Sequence, residues 1–298
     1  MRQGDKGADV KALQSILTQA GYLGLNREPG VLCTTTMDAI RHFQSNYGLE
    51  ETGIGDQETL ALLQLPRCGV PDFDEPDEDS VLAPFSLRGC KYDDLNLTYA
   101  ILNDTPDMSQ VRQREIIMEA FDAWAAVSRL SFTEVQPSDS PTFTLSFESG
   151  NHGDGSSFDG AGNTLAHAFY PPPCGGTHSG ACHFDEAEGW TDQSASGRFR
   201  LLNVAIHEIG HLLGLEHSSD QNAIMFASYN DGVDRLGSDD VAGIQQLYGA
   251  PAGNLVSRAT GQSDDTVEIV LRNGRRVFAP QNISTAALER IIRSAEHS

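Results

Sequence analysis

Between Ala8 and Leu65 apolar residues recur at helical spacing: Leu13, Ile16, Leu17 and Ala20 form one stripe, Ile40, Phe43 and Tyr47 a second, Leu60 and Leu63 a third. With Gly21 and Gly48 as stops and Asp56 as a cap, the pattern predicts a three-helix module over residues 1–65. Leu95 to Leu102 has strand character, Ser109 to Val127 carries Ile117, Phe121 and Trp124 on one helical face, and Thr142 to Phe147 alternates as a strand again. Strand, helix and strand predict an α/β layer. Residues 148–200 are rich in Gly, His, Asp and Pro and lack periodicity, so something other than apolar burial must order them. Two helices follow, Arg198 to Leu213 and Ser238 to Tyr248, the second with Asp239 and Asp240 in its first turn. Thr266 to Leu271 and Arg275 to Phe278 flank Asn273-Gly274, a hairpin signal, and Leu288, Ile291, Ile292 and Ala295 make a short helical stripe.

Charge and cysteine content narrow the setting. The 298 residues carry 20 Lys+Arg against 42 Asp+Glu, a formal charge of −22, which argues against nucleic acid or anionic lipid as a partner. No apolar run approaches the roughly 20 residues a membrane span needs. Met1 to Gly21 is polar and amphipathic, unlike a secretory leader. The acidic, proline-punctuated stretch from Asp72 to Pro84 reads as an exposed linker. Five cysteines, Cys33, Cys68, Cys90, Cys174 and Cys182, leave an odd thiol under oxidising conditions.

The most informative stretch is His207-Glu208-Ile209-Gly210-His211-Leu212-Leu213-Gly214-Leu215-Glu216-His217. Two histidines four apart leave one helix face a turn apart, as two imidazoles on one ion must. Gly214 can take the positive φ that turns the chain back, so that His217 supplies a third ligand. Three neutral ligands leave a fourth position open, the mark of a catalytic zinc, and Glu208 is placed to move a proton from the attacking water to the leaving amine. With Met225 eight residues further on, the pattern resembles the metzincins and their Met-turn.

Pro66-Arg67-Cys68-Gly69-Val70-Pro71-Asp72 resembles the cysteine switch of matrix metalloproteinase (matrixin) zymogens. The resemblance implies Cys68 as the fourth zinc ligand of a latent form, with Arg67 holding the segment by a salt bridge. It implies a structural zinc on His152, Asp154, His167 and His183, and at least one calcium on the carboxylates of Asp159, Asp185 and Glu188 and the carbonyls of Gly160, Gly162 and Thr164. Ala120-Phe121-Asp122-Ala123-Trp124 and Asp239-Asp240-Val241-Ala242-Gly243-Ile244 extend the match. Gly-Ala-Asp-Val-Lys-Ala-Leu-Gln at 7–14 and Ala-Ile-Arg-His-Phe-Gln at 39–44 resemble the peptidoglycan-binding-like helical domain, the fold of the family's prodomain.

The organisation expected is a helical prodomain at 1–65, switch and acidic linker at 66–84, and a catalytic domain at 85–250 of α+β or α/β metzincin type, a twisted mixed sheet with three helices. A linker with a hairpin-helix tail of unassigned role follows at 251–298. The activity implied is a secreted, monomeric endopeptidase acting on protein or peptide substrates and released by an activating protease. A peptide would lie antiparallel to the edge strand around Asn163 to Phe169, with Leu165, Ala166, Asn203 and Tyr229 as substrate-binding residues. Sequons at Asn96, Asn103 and Asn282 are compatible with secretion.

The loop from Tyr170 to Cys182 departs from the family by its length, and Ala181 and Ala227 replace a usual aspartate and proline. A disulfide from Cys174 to Cys182 is expected to stiffen that loop, and one from Cys33 to Cys90 to tie prodomain to catalytic domain. The alternatives are a cell-wall or peptidoglycan-binding protein and a noncatalytic zinc protein.

Overall fold

The computed structural model describes residues 1–24, 28–73 and 86–251 and two further strands at 266–270 and 276–280. The chain divides into two compact units, Met1–Ala252 and Gly253–Ser298. The first begins with helices α1 (Ala8–Gln19), α2 (Thr34–Asn46) and α3 (Gln57–Leu63). Leu13, Leu17, Ile40 and Phe43 meet in their common core, as the spacing predicts. Asp56 caps α3 by accepting from the Thr59 amide at 2.9 Å. Two glutamines outside the apolar pattern hold the connections. Buried Gln14 donates to the carbonyls of Glu28 and Val31 and accepts from the Gly30 amide, and Gln44 does the same for Ile54 and Gly53. Main-chain groups that no helix satisfies thus find partners.

A six-stranded sheet follows, built from β1 (Arg67–Cys68), β2 (Asn96–Ile101), β3 (Ser131–Glu134), β4 (Phe143–Glu148), β5 (Thr164–Ala168) and β6 (Ala181–Asp185) in the order β1-β5-β6-β4-β2-β3. Its pairs are parallel except β5 against β6. Helix α4 (Gln110–Val127), capped by Ser109, crosses from β2 to β3. The short parallel pair β7 (Trp190–Thr191) and β8 (Phe199–Arg200) precedes α5 (Leu201–Leu212), and α6 (Ser238–Tyr248) closes the unit. The helix expected from Arg198 starts at Leu201 because Phe199 and Arg200 are extended against Trp190 and Thr191. Phe121, Trp124, Phe143, Phe184 and Ile209 centre the core, and the Trp124 indole donates to the Ile206 carbonyl at 2.9 Å, pinning α5 to α4. This is the mixed sheet with three helices expected of the catalytic region.

The second unit contains β9 (Thr266–Val270) antiparallel to β10 (Arg276–Pro280), with Arg276 opposite Val270. The turn expected at Asn273-Gly274, the helical stripe from Leu288 to Ala295 and the linker residues 74–85 lie outside the described residues. Among the described residues no helix is long and apolar enough to cross a membrane.

The disulfide differs from both expected pairings: Cys90 joins Cys174, and Cys33, Cys68 and Cys182 remain thiols. Strand alternation explains Cys182, which faces the core together with Phe184, while His183 between them faces the other way. Cys33 precedes the first turn of α2 within the helical module. Cys90 instead lies beside the Gly214 turn, where its carbonyl is so close that a Cβ on Gly214 would sit 2.3 Å from it.

Candidate active site

Helix α5 buries almost every residue it has, because it runs between the sheet, α4 and the loop after it. His207 and His211 emerge one turn apart with their Nε2 atoms 3.1 Å from each other, and His217 brings its Nε2 to 3.2 Å from that of His211. Gly214, at φ +100°, makes the turn that returns His217 to the other two. Each ring's second nitrogen has an acceptor-only partner: Nδ1 of His207 lies 2.7 Å from the Ile224 carbonyl, that of His211 2.8 Å from the Leu215 carbonyl, and that of His217 2.8 Å from an oxygen of Asp72. Nδ1 therefore carries the proton in all three, and three Nε2 lone pairs face one another in a buried space. Burial pushes His207 down to about 3 and lowers His211 and His217 as well, so the rings are neutral. Lone pairs converging without a donor fit a cation between them, and imidazole nitrogens suit zinc.

Cys68 completes the set. Its sulfur and the three imidazole nitrogens all lie within 4.8 Å of one another. The segment around Cys68 reaches this point as a strand, β1, in a cleft. On one side Arg67 donates its amide to the Asn163 carbonyl at 2.6 Å and Gly69 to the Ala166 carbonyl at 2.8 Å. On the other side Cys68 donates to the Ala227 carbonyl at 3.0 Å, and Tyr229 donates to the Pro66 carbonyl at 2.8 Å. Segment and β5 run parallel, the reverse of the direction expected for substrate. Arg67 pairs with Asp72 at 2.5 Å, as the resemblance implies.

Both carboxylate oxygens of Glu208 are buried without a hydrogen-bond partner of ordinary geometry among the described residues, and the Cys68 thiol faces them. Burial pushes the Glu208 carboxyl up to about 8. Beneath α5, Met225 lies so close to Gly210 that a Cβ there would sit 2.3 Å from the methionine sulfur. Asp240 holds this turn by accepting from the amides of Ile224 at 2.9 Å, Met225 at 3.1 Å and Gly237 at 2.7 Å.

A second cluster sits on the far side of β5 and β6. One oxygen of Asp154 lies 2.8 Å from Nε2 of His152, 2.8 Å from Nε2 of His167 and 2.9 Å from Nδ1 of His183. The His167 nitrogen is also only 3.2 Å from that of His183. Burial lowers His167 to about 4 and lowers His183. Four ligands crowd one point, which fits a closed structural site. The carboxylates expected to hold calcium, Asp159, Asp185 and Glu188, are not among the tight groups formed by the described residues. Asp185 has one buried oxygen without a partner among the described residues, and burial pushes Glu188 up to about 7. Glu188 accepts from the Gly162 amide at 2.6 Å and Asp159 from the Thr164 amide at 3.3 Å.

Beside His207 and Glu208 opens a cavity lined by Leu165, Asn203, Val204, Ile224, Tyr229 and Val233, among others. Leu165, Asn203 and Tyr229 line this cavity, while Ala166 meets the segment from Arg67 to Gly69 through its carbonyl. Asn203 donates to the Val233 carbonyl at 2.8 Å, and its own buried oxygen has no partner among the described residues. Sequence reasoning missed two residues of the site. Tyr170 sets its ring edge-on 5.6 Å from that of His211, under the Arg88 guanidinium at 4.7 Å. Asp72, read as the start of a charged linker, is buried on His217; its place as the last residue of the switch motif was the available signal.

A buried set of three histidines, two on a helix beside a sheet edge and the third on the turn after it, with a glutamate next to the first, defines the class of zinc metallopeptidases. The chain belongs to one family within it. Residues 91–249 match the family described as Matrixin, and residues 6–63 match that described as "Putative peptidoglycan binding domain". It is similar to the hatching enzyme of Paracentrotus lividus, 38% identical over 263 residues, 87% of this chain and 42% of the relative. It is also similar to the interstitial collagenase of Sus scrofa, 42% identical over 228 residues, 76% of this chain and 46% of the relative. The macrophage metalloelastase of Rattus norvegicus is 40% identical over 233 residues, 77% of this chain and 47% of the relative. The chain spans less than half the length of these relatives.

Proposed function

We propose that this protein is a zinc-dependent endopeptidase, made as a latent zymogen in which Cys68 occupies the fourth position of the catalytic zinc. The observation that carries the reading is the single cluster of Cys68 with His207, His211 and His217, reached by a segment bonded on both sides of the cleft. A zinc ion on the three histidines would supply Lewis acidity toward the scissile carbonyl and its attacking water. The chain's own residues do the rest. With the switch segment gone, the edge of β5 offers the Asn163 and Ala166 carbonyls to an extended peptide, and Leu165, Asn203 and Tyr229 receive the side chain after the scissile bond. Glu208, buried beside His207, takes the proton of the attacking water on its carboxylate and returns it to the leaving amine.

A second zinc on His152, Asp154, His167 and His183 and a calcium near Asp159, Asp185 and Glu188 would order the region from 148 to 200. The proposal extends to a prodomain at 1–65, a switch and linker at 66–84 cut by an activating protease, a catalytic domain at 85–250, secretion and a monomeric state. Phe226, next to Met225, packs into the core of the helical module, and its ring lies 5.4 Å from that of Tyr47. That packing supports an inhibitory module over a cell-wall-binding one.

The test is cleavage of a quenched fluorescent peptide before and after an organomercurial or limited trypsin. Activity is expected only after treatment, and Glu208→Ala should lower kcat by about 100-fold or more with zinc content unchanged. A Cys68→Ser chain as latent as the wild type would sink the switch.

A further inference from the structure

The three histidines are not held alike. His207 and His211 give their Nδ1 protons to main-chain carbonyls of Ile224 and Leu215, which stay with the catalytic region when the switch segment leaves. His217 alone is held by a carboxylate, and that carboxylate, Asp72, comes from 145 residues earlier, within the segment that activation removes. Both side chains are fully buried at the contact. Asp72 is clamped in turn. The oxygen on His217 also pairs with Arg67, the second oxygen accepts from the Tyr47 hydroxyl at 3.1 Å, and its amide donates to the Ala20 carbonyl at 3.0 Å. Helical module and switch segment together therefore present one oriented anionic acceptor to one histidine.

An anionic partner on Nδ1 fixes the ring, selects the tautomer that presents Nε2, and makes that nitrogen a stronger donor to a metal; losing such a partner typically costs about 10- to 100-fold in metal affinity. We infer that Asp72 is a positioning residue for the metal: the latent chain holds the catalytic metal more tightly than the activated one because the switch segment supplies the carboxylate behind His217 as well as the thiolate of Cys68. Activation then removes two anionic groups from the metal's surroundings, and both losses leave it more electrophilic. The inference rests on the reading of His207, His211 and His217 as metal ligands.

The thiolate and carboxylate contributions separate in a Cys68→Ser background. Three full-length proteins, Cys68→Ser alone and combined with Asp72→Asn or Arg67→Gln, are loaded with cobalt, and transfer of the metal to a chromophoric chelator is followed with the cobalt d–d bands. Adding Asp72→Asn should loosen the catalytic metal by about 10- to 100-fold. Arg67→Gln, which breaks the salt bridge but leaves the carboxylate on His217, should change it no more than a few-fold. Equal loosening by both, or none by either, would overturn the inference and leave Asp72 as a latch alone. A second measurement needs no variant at position 72: in the 15N-labelled latent wild type, the hydrogen-bonded Nδ1 proton of His217 should be visible and should vanish when the segment is cut away. Its absence from the latent protein would also overturn the inference. If the Cys68→Ser chain gave no cobalt spectrum at all, the metal-site reading itself would fail.

Discussion

Asp240 accepts from three amides, of which the two in the turn that carries Met225 under the metal site are buried. Helix-dipole reasoning placed it in the first turn of α6 and found nothing more, since what it bonds lies 15 residues earlier. Asp240→Ala would strand those amides, at about 1 to 3 kcal/mol for each buried group left unpaired. A marked fall in the thermal midpoint is expected, and a change within error would show that water replaces the carboxylate. Asn203 lines the cavity beside His207, and its buried amide oxygen has no partner among the described residues. A substrate tyrosine after the scissile bond can donate to that oxygen and a phenylalanine cannot, so Tyr should be preferred over Phe by about 10-fold, one hydrogen bond's worth. Asn203→Leu should erase the preference in kcat/KM, and a ratio unaltered by that change would remove Asn203 from the specificity determinants.

At the scale of elements, the loop after β5 shows what a crosslink does that periodicity cannot reveal. Cys90–Cys174 joins the start of the catalytic region to this loop, and Arg88 and Tyr170 stack next to it against His211. Replacing both Cys90 and Cys174 by serine is expected to cost about 2 to 4 kcal/mol, read from denaturant midpoints, whereas Cys33→Ser should change little. A peptide map without reductant that joined Cys174 to Cys182 would refute the pairing. Most elements were legible in the sequence. Helices α1 to α4 and α6 follow their apolar stripes and caps, because helix formation is decided over a few turns of local pattern. β1 was not legible as a strand. Two residues of Arg67-Cys68 are extended only because β5 offers them a free edge.

For the whole molecule, the region from 148 to 200 has too little apolar periodicity to fold on burial alone. Four of its side chains instead converge at His152, Asp154, His167 and His183, and it also carries the buried carboxylates of Asp185 and Glu188. Chelation should therefore lower the thermal midpoint and open this region to proteolysis, with zinc and calcium restoring both. If chelated and metal-loaded protein melt alike, the metals do not order it. The sequence by itself determined the family, the helical module and the run of three histidines with a glutamate beside the first, because each depends on residues close together in the chain and on fixed helical or turn geometry. Only the tertiary structure decided the disulfide, the seat of Phe226 in the helical module, and the bond from Asp72 to His217. Those contacts join residues 84, 179 and 145 positions apart, and their geometry exists only once sheet, helices and switch segment have packed against one another.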